Sequence, residues 1–460
     1  MDWSGRKVVV LGLGDTGLSM TRWLARQGAR VRVADSRAAP PHAGALAREL
    51  PQVPLATGAF SVDTFRDIDC IAISPGIDRR EAPIAQSAKQ GIPVVGDVEL
   101  FAQALPRSAA RSARVLAVTG SNGKSTVTAM AGDICRSAGR STTVAGNIGV
   151  PVLDALAEAE GAPAAPEVFV IELSSFQLET ASSLTPDAAT MLNLTEDHLD
   201  RYDGMEDYAA AKSRVFAGSG IQVLNRDDRW SMNMTRAGRT LFTFGLSRPG
   251  TGREWGLMDE PAGRALANGS RRLMPLDELP VTGLHNAANA LAALALTRAI
   301  GLPDEAATEA LRRFQGLPHR AQRVAEVGGV VFYDDSKGTN VGATVAALAG
   351  IGRPAVLIAG GEGKGQNFAP LASAVARYAR AVVLIGRDAA RIGEALEETG
   401  VPLEHARDMD AAVAAAQRAA REGDAVLLSP ACASFDMFRD YRHRGEAFVA
   451  AVRARARAGG

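Results

Sequence analysis

Short apolar runs alternate with stretches of helical periodicity from one end of the chain to the other. Val8 to Leu11 is an apolar, β-branched run of the kind that fills a strand buried on both faces. Thr16 to Gln27 then reads as a helix with Leu18, Met20, Trp23 and Leu24 apolar, and Ala29 to Ala34 returns to strand character before Asp35. Further strands are expected at 70–74, 92–95, 114–118, 168–171 and 189–192, and later at 330–333, 355–359, 381–385 and 425–428. Helical periodicity is clearest in HNAANALAALALTRAIG, whereas 226–279 is rich in turn residues and charge and reads as short strands and loops. Strands alternating with helices predict α/β domains with mostly parallel sheets.

A chain of 460 residues exceeds one ordinary core. The pattern divides it into a first unit over 1–105, a second over 106–316 and a third over 317–460. Pro106 to Arg114 reads as a linker, and the Ala/Arg-rich tail after Val449 as helix followed by fraying. The first and third units have the doubly wound, Rossmann-like pattern, and the second opens as a nucleotide-binding strand–loop–helix.

Composition narrows the class. Hydrophobic residues make up 47% and charged residues 22%, as in soluble globular proteins. Lys plus Arg equals Asp plus Glu, 51 each, so nothing in the charge balance points to nucleic acid or an anionic membrane. Cys70, Cys135 and Cys432 have no disulfide or zinc spacing, which fits a reducing compartment. No apolar run reaches transmembrane length and no leader pattern is present, so a cytoplasmic protein is expected.

Candidate chemistry begins at Gly12-Leu13-Gly14-Asp15-Thr16-Gly17, the spacing of a dinucleotide-binding turn. A helix N-terminus after such a turn receives a diphosphate, and Asp35 stands where a ribose-binding acid is expected. On these residues NAD, another nucleotide diphosphate and an unliganded tight turn all remain open. Thr119-Gly120-Ser121-Asn122-Gly123-Lys124-Ser125-Thr126 follows a buried strand and precedes a helix. Its backbone N–H groups are expected to cradle phosphates, with Lys124 on the terminal phosphates and Ser125 on magnesium. Val118 stands where a full Walker A sequence has glycine, so the loop is a variant. Glu172 ends a neighbouring strand, where an acid holds magnesium or faces solvent. NLTEDHLDRY packs Glu196, Asp197, His198 and Asp200 after another strand. Lys212, in YAAAKSRVF, is on spacing alone an exposed helix lysine. Asn286 and Asn289 share a helix face and either cap it or bind a polar ligand. YDDSKGTN, AGGEGKGQNF and LSPACASFDMF each follow a predicted strand of the third unit, where doubly wound sheets bind ligands.

In this order TGSNGKST, ELSSFQL, NLTEDHLDRY, HNAANALAA, LPHRAQ, DDSKGTNVGAT, GGEGKG and LSPACASFDMF resemble the Mur ligases, ATP-dependent amide-forming enzymes of peptidoglycan synthesis. The likeness spans nearly the whole chain. LGLGDTGLS, the SPGI loop and the overall length favour a member acting on UDP-N-acetylmuramoyl-L-alanine and D-glutamate. The resemblance implies that the first unit holds UDP rather than NAD, through Thr16, Asp35, Ser36, Arg37, Ser74, Pro75, Gly76 and Asn147. It assigns ATP to Gly120, Ser121, Asn122, Gly123, Lys124, Ser125, Thr126, Asn286, Asn289, Arg320 and Asp335. Lys124, Glu172, His198 and Lys212 take catalytic roles. Two Mg2+ sites are implied, Ser125 and Glu172 holding one and His198 with a carbamylated Lys212 the other. Thr339, Lys364, Ser434, Phe435 and Tyr441 correspond to the glutamate pocket; the family pattern often has Leu and Phe at the positions of Phe435 and Tyr441. No nucleic-acid or membrane partner is expected, and the default is a monomer. The competing readings are a folylpolyglutamate-type amide ligase, an NAD-dependent oxidoreductase with a fused nucleotide module, and a nucleotide-sensing protein.

Overall fold

The computed structural model describes residues 2–458. The fraying expected at the end of the tail falls on Gly459 and Gly460, outside the described residues, and the C-terminal helix runs over Tyr441–Ala458. Three sheets carry the fold, each with helices packed on its faces.

The first sheet contains β1 (Lys7–Leu11), β2 (Arg30–Asp35), β3 (Leu55–Thr57), β4 (Cys70–Ile73) and β5 (Val94–Val95), all parallel, in the order β3-β2-β1-β4-β5. The reversal of direction between β1 and β4 is the switch point at which doubly wound sheets bind ligands. There the glycine turn after β1 meets the Ser74 loop after β4, the Ser74 hydroxyl donating to the Gly12 carbonyl at 3.1 Å. A Cβ at Gly17 would collide with the Gly12 carbonyl, whereas one at Gly14 would meet open space. Gly17 thus serves close packing of helix Asp15–Arg26, and Gly14 leaves room above the turn.

The central sheet has nine strands: β6 (Arg114–Thr119), β7 (Thr142–Gly146), β8 (Val168–Glu172), β9 (Ala188–Met191), β10 (Ile221–Asn225), β11 (Leu241–Phe244), β12 (Glu254–Glu260), β13 (Gly263–Asn268) and β14 (Arg271–Pro275). Their order is β14-β13-β12-β11-β10-β9-β6-β8-β7, parallel except for the antiparallel meander β12–β14. The turn-rich stretch 226–279 folds as a short helix at Arg229–Met232, strand β11, that meander and a 3₁₀ turn at Leu276–Glu278. The segment expected as a linker is folded down instead: Leu105–Arg107 is a turn of 3₁₀ helix, Ser108 and Ala110 are buried, and Arg114 opens β6.

The third sheet contains β15 (Gln322–Val327), β16 (Val330–Asp334), β17 (Ala355–Gly360), β18 (Ala379–Ile385), β19 (Leu403–His405) and β20 (Ala425–Leu428), in the order β15-β16-β20-β17-β18-β19. Only the edge pair β15–β16 is antiparallel. Strands β6, β8, β17 and β20 are buried almost throughout, which is why they read as continuous apolar runs.

The first two domains are fastened by helix Asp97–Ala104. Asp97 accepts from Gln177 Nε2 at 3.0 Å, and Glu99 accepts from the Ser182 and Ser183 N–H groups and the Ser183 hydroxyl. Burial pushes the Asp97 carboxyl up to about 6. The carboxyl ends of the central strands face the cleft between the domains.

Candidate active site

Register brings the site loops together. Val118 pairs with Glu172, Gly146 also pairs with Glu172, and Thr119 pairs with Met191. The phosphate loop, Asn147, Glu172 and the 193–200 loop therefore leave the sheet on one edge. Gly123 caps helix Lys124–Ser137 at φ 84°, a conformation glycine adopts without strain. The N–H groups of Lys124, Ser125 and Thr126 in its first turn have no intrahelical partner by geometry and face the cleft. The N–H groups of Ser121 and Asn122, expected to meet phosphate, are instead taken by the Asn193 carbonyl at 2.9 Å and the Asn193 side chain at 2.8 Å. They brace the loop.

Lys124 and Lys212 converge on one oxygen, the Gly120 carbonyl, each Nζ donating at 2.9 Å. Lys124 Nζ also donates to Ser121 O at 2.8 Å. Lys212 is only 1% exposed, so the reading of an exposed helix lysine is corrected. Helix Met205–Ser213 turns Tyr208, Ala211 and Lys212, spaced i, i+3, i+4, toward the core. Lys212 Nζ lies 4.8 Å from the centre of the Tyr208 ring. Burial, reinforced by the neighbouring Lys124 charge, holds the Lys212 amine well below the ordinary lysine range. Burial also lowers Lys124.

Glu172 is buried rather than facing solvent. Its Oε1 accepts from Asn147 Nδ2 at 2.8 Å, while Oε2 is buried with no hydrogen-bond partner. A buried carboxylate oxygen left unpaired is costly unless a cation reaches it. Magnesium typically takes one or two carboxylates and completes its shell with phosphate oxygens and water. The donor set fits that demand: Glu172 Oε2, and the Ser125 hydroxyl, which accepts from Arg320 Nη2 at 2.6 Å. Among the described residues no three His, Cys, Asp or Glu side chains are grouped to hold a metal ion.

His198 sits at φ 57°, in the left-handed region, with its ring edge-on to Phe176 at 4.7 Å. Burial pushes its imidazole down to about 4, leaving a neutral ring. Asp197 beside it is partnered on all sides. Burial raises its carboxyl, but the Lys364 ammonium, the largest of the opposing charges and a hydrogen-bond donor to it, leads the effects that outweigh burial and hold it at about 2. Lys364 Nζ lies 3.0 Å from Asp197 Oδ1, and Asn340 Nδ2 donates to Oδ2 at 3.2 Å. Four of the six non-glycine residues with φ in the left-handed region among those described, His198, His319, Ala321 and Lys364, line the cleft. Such strain concentrates where function requires a particular backbone.

Three cavities, of about 580, 500 and 290 Å³, share walls and form one cleft. The first is lined by Thr16, Pro75, Ser125, Asn147, Glu172, Arg320 and Tyr441. The middle one gathers Gly76, Ser121, Asn122, Gly123, Lys124, Glu172, His198, Lys212, Thr339, Lys364, Ser434, Phe435 and Tyr441. The last contains Thr126, Asn286, Asn289, Arg320 and Asp335 beside Leu192 and Phe244. The helix of HNAANA begins at Leu284 with Gly283 as its cap, so neither asparagine is the N-cap. Asn289 Nδ2 donates to Asn286 Oδ1 at 3.2 Å, and a Cβ at Gly123 would collide with Asn289 Oδ1. Burial raises the Asp335 carboxyl to about 7, and it accepts from the Ser429 hydroxyl at 2.7 Å and the Ala321 N–H at 3.1 Å.

Asp35, Ser36 and Arg37 line none of these cavities. Asp35 is buried with both oxygens engaged: Leu13 N–H donates to Oδ2 at 2.7 Å and Arg37 N–H to Oδ1 at 2.9 Å, while the Arg37 guanidinium bonds both. Those Arg37 bonds hold the carboxyl at about 2. In this structure Asp35 shapes the glycine turn.

Sequence reasoning did not assign three residues that build the site. Lys337 lines all three cavities with Nζ 4.0 Å from the Tyr441 ring centre, and burial lowers it to about 8. Asp197 joins two domains. Arg444, 1% exposed, donates to Ser336 Oγ and to the Ser336, Cys432 and Ala433 carbonyls, tying the two C-terminal loops together. Lys337 and Asp197 lay in quoted motifs, whereas Arg444 sits in an RHR run with no distinguishing signal.

Three family models cover most of the chain: Mur ligase MurD-like N-terminal domain over 6–96, Mur ligase middle domain over 118–297, and Mur ligase glutamate ligase domain over 319–432. The chain is 59% identical to the UDP-N-acetylmuramoylalanine–D-glutamate ligase of Thiobacillus denitrificans, over 98% of this chain and 96% of that protein. It is 56% identical to the enzyme of that name from Nitrosospira multiformis, over 100% and 98%. Among solved structures, the UDP-N-acetylmuramate-alanine ligase of Thermotoga maritima superposes with a TM-score of 0.60 at 20% identity, over 98% of this chain and 100% of that one. A MurF ligase from Thermotoga maritima in complex with ADP gives 0.60 at 17% identity, over 98% and 96%. At these identities the two structures speak for the shared fold.

Proposed function

The chain belongs to the Mur ligase family, and from that premise we propose that it joins D-glutamate to UDP-N-acetylmuramoyl-L-alanine, converting ATP to ADP and phosphate, in the synthesis of peptidoglycan precursor. The observation that carries the reading is the meeting of Lys124, Glu172, His198 and Lys212 in the middle of a cleft walled by all three domains. Residues 1–105 take the UDP-sugar, 106–316 take ATP and 317–460 take the amino acid.

A carboxylate does not accept an amine nucleophile until it is activated. The L-alanine carboxylate oxygen attacks the γ-phosphorus of ATP, the bond to the β-phosphate oxygen breaks, and an acyl phosphate and ADP result. The D-glutamate nitrogen then attacks the acyl carbon and loses a proton, and the tetrahedral intermediate expels phosphate. The helix N-terminus at Lys124–Thr126 and the Lys124 ammonium hold the triphosphate and reduce its repulsion of the incoming carboxylate. Asn286, Asn289 and Asp335 line the nucleotide end, and Arg320 reaches the phosphate side from the C-terminal domain. Thr339, Lys364, Ser434, Phe435 and Tyr441 receive the amino acid, with Lys364 as partner for one carboxylate.

Two Mg2+ ions, one held by Ser125 and Glu172 and one by His198 and Lys212, would neutralise phosphate charge when bound. Burial, with the neighbouring Lys124 charge, favours the neutral form of the Lys212 amine, and a neutral amine adds to carbon dioxide with loss of a proton to give a carbamate. Carbamylation turns a cation into an anionic oxygen donor. The protein works in the cytoplasm as a monomer on small molecules, without NAD, nucleic acid or membrane; among the described residues no helix is long and apolar enough to cross a membrane.

Phosphate release by the purified protein tests the reading. It is expected only when ATP, UDP-N-acetylmuramoyl-L-alanine and D-glutamate are all present, with L-glutamate failing to substitute. Release independent of D-glutamate overturns it, and tight NAD binding by calorimetry restores an oxidoreductase.

A further inference from the structure

Arg201 lies three residues beyond His198, and its backbone N–H donates to the His198 carbonyl at 2.9 Å. Its side chain, one-tenth exposed, leaves the central domain and grips the first. Nη2 donates to the Ile77 carbonyl at 2.9 Å and Nη1 to the Pro75 carbonyl at 3.4 Å, the two carbonyls flanking Gly76. Nη2 also meets Glu179 Oε2 at 3.3 Å, and Nε lies 3.6 Å from Asp78 Oδ1. The guanidinium lies over the Phe176 ring, 4.4 Å from its centre, and that ring meets the His198 imidazole. On the other side, the Pro75–Ile77 loop is fixed to the glycine turn by the Ser74–Gly12 bond. One planar, rigid fork thus touches the loop beside the first-domain turn and, through one ring, the strained histidine of the active site.

We propose that Arg201 is a positioning residue that couples occupancy of the UDP subsite to the placement of His198, through the 75–77 carbonyls on one side and the Phe176 ring on the other. This rests on the function proposed above. Binding of the nucleotide, remote from the reacting carboxylate, then orders the loop that carries His198, so that nucleotide affinity is expressed in turnover as well as in binding.

The test uses UDP itself as probe, on the full chain, with hydrogen exchange and steady-state kinetics. In the wild type, saturating UDP is expected to slow exchange at 12–17 and 74–77, and also at 196–204 by at least about tenfold. In Arg201→Ala the first two segments remain protected and 196–204 changes by less than about twofold. Arg201→Lys, which keeps charge and bulk but loses the fork, behaves the same way and controls for folding. In both variants kcat falls about 100-fold on the UDP-sugar substrate while KM for ATP stays within about twofold. Equal protection of 196–204 in wild type and variants, or none in wild type despite protection at 74–77, overturns the coupling and leaves the function standing. No UDP protection anywhere in the wild type overturns the UDP subsite and this proposal with it.

Discussion

Lys364 of the C-terminal domain and Asp197 of the central domain form an ion pair across the cleft, Nζ to Oδ1 at 3.0 Å. Lys364 is the residue expected to meet a glutamate carboxylate, and Asp197 holds it in place. Asp197→Asn is expected to raise KM for D-glutamate about tenfold, one charged hydrogen bond of orientation, with little change in KM for ATP. The pair also has a pH signature. Because the Asp197 carboxyl is lowered to about 2 from its ordinary 3.8, its stabilisation is complete above about pH 4 and is lost as pH falls through 2. Acid unfolding of the wild type should show an increment in that window that Asp197→Asn lacks.

Two half-buried histidines titrate higher. Burial lowers both His198 and His285 from 6.5 to about 4. The unfolded chain then binds protons that the folded chain refuses, so stability is full above about pH 6.5 and declines as pH falls toward 4. Calorimetry from pH 7 to 4 should show this decline, and His198→Gln with His285→Gln should flatten it.

Lys212→Ala is expected to abolish ligation, and added bicarbonate should not rescue it. Near-normal turnover by that variant removes the carbamate.

Glu172→Gln keeps an oxygen for Asn147 but removes the charge at the unpaired position. Its melting temperature should stay near that of the wild type, while kcat falls about 100-fold or more and the magnesium requirement rises. A variant with unaltered magnesium dependence would separate Glu172 from the metal.

Gly123→Ala places a methyl group against Asn289 Oδ1 at a backbone φ of 84°. KM for ATP should rise by about 100-fold, since both strain and the clash fall on the phosphate loop. Binding of UDP, at the other end of the cleft, should be unchanged.

The strand–glycine–helix units were legible because their causes are local. A β-branched run buried on both faces, a glycine where φ is positive and a helix N-terminus after it are all written in adjacent residues, as in Val8–Gly17 and Val115–Thr126. The short strands β3, β7 and β19 were not anticipated. All three lie at sheet edges and none is a fully buried run, so no continuous apolar stretch marks them. The antiparallel edge β15 was missed for the same reason: its residues are half-exposed.

Sequence by itself determined the three α/β units, the phosphate loop and the motifs that the family resemblance rests on, because each depends on contacts within a few residues of chain. Tertiary structure alone decided that Lys212 is buried, that Asp197 rather than solvent meets Lys364, that Asp35 braces its own turn, and that Arg444 and Arg201 tie loops far apart in sequence. The charge state and accessibility of a side chain depend on what other segments bring against it, and spacing along one segment carries no record of those neighbours.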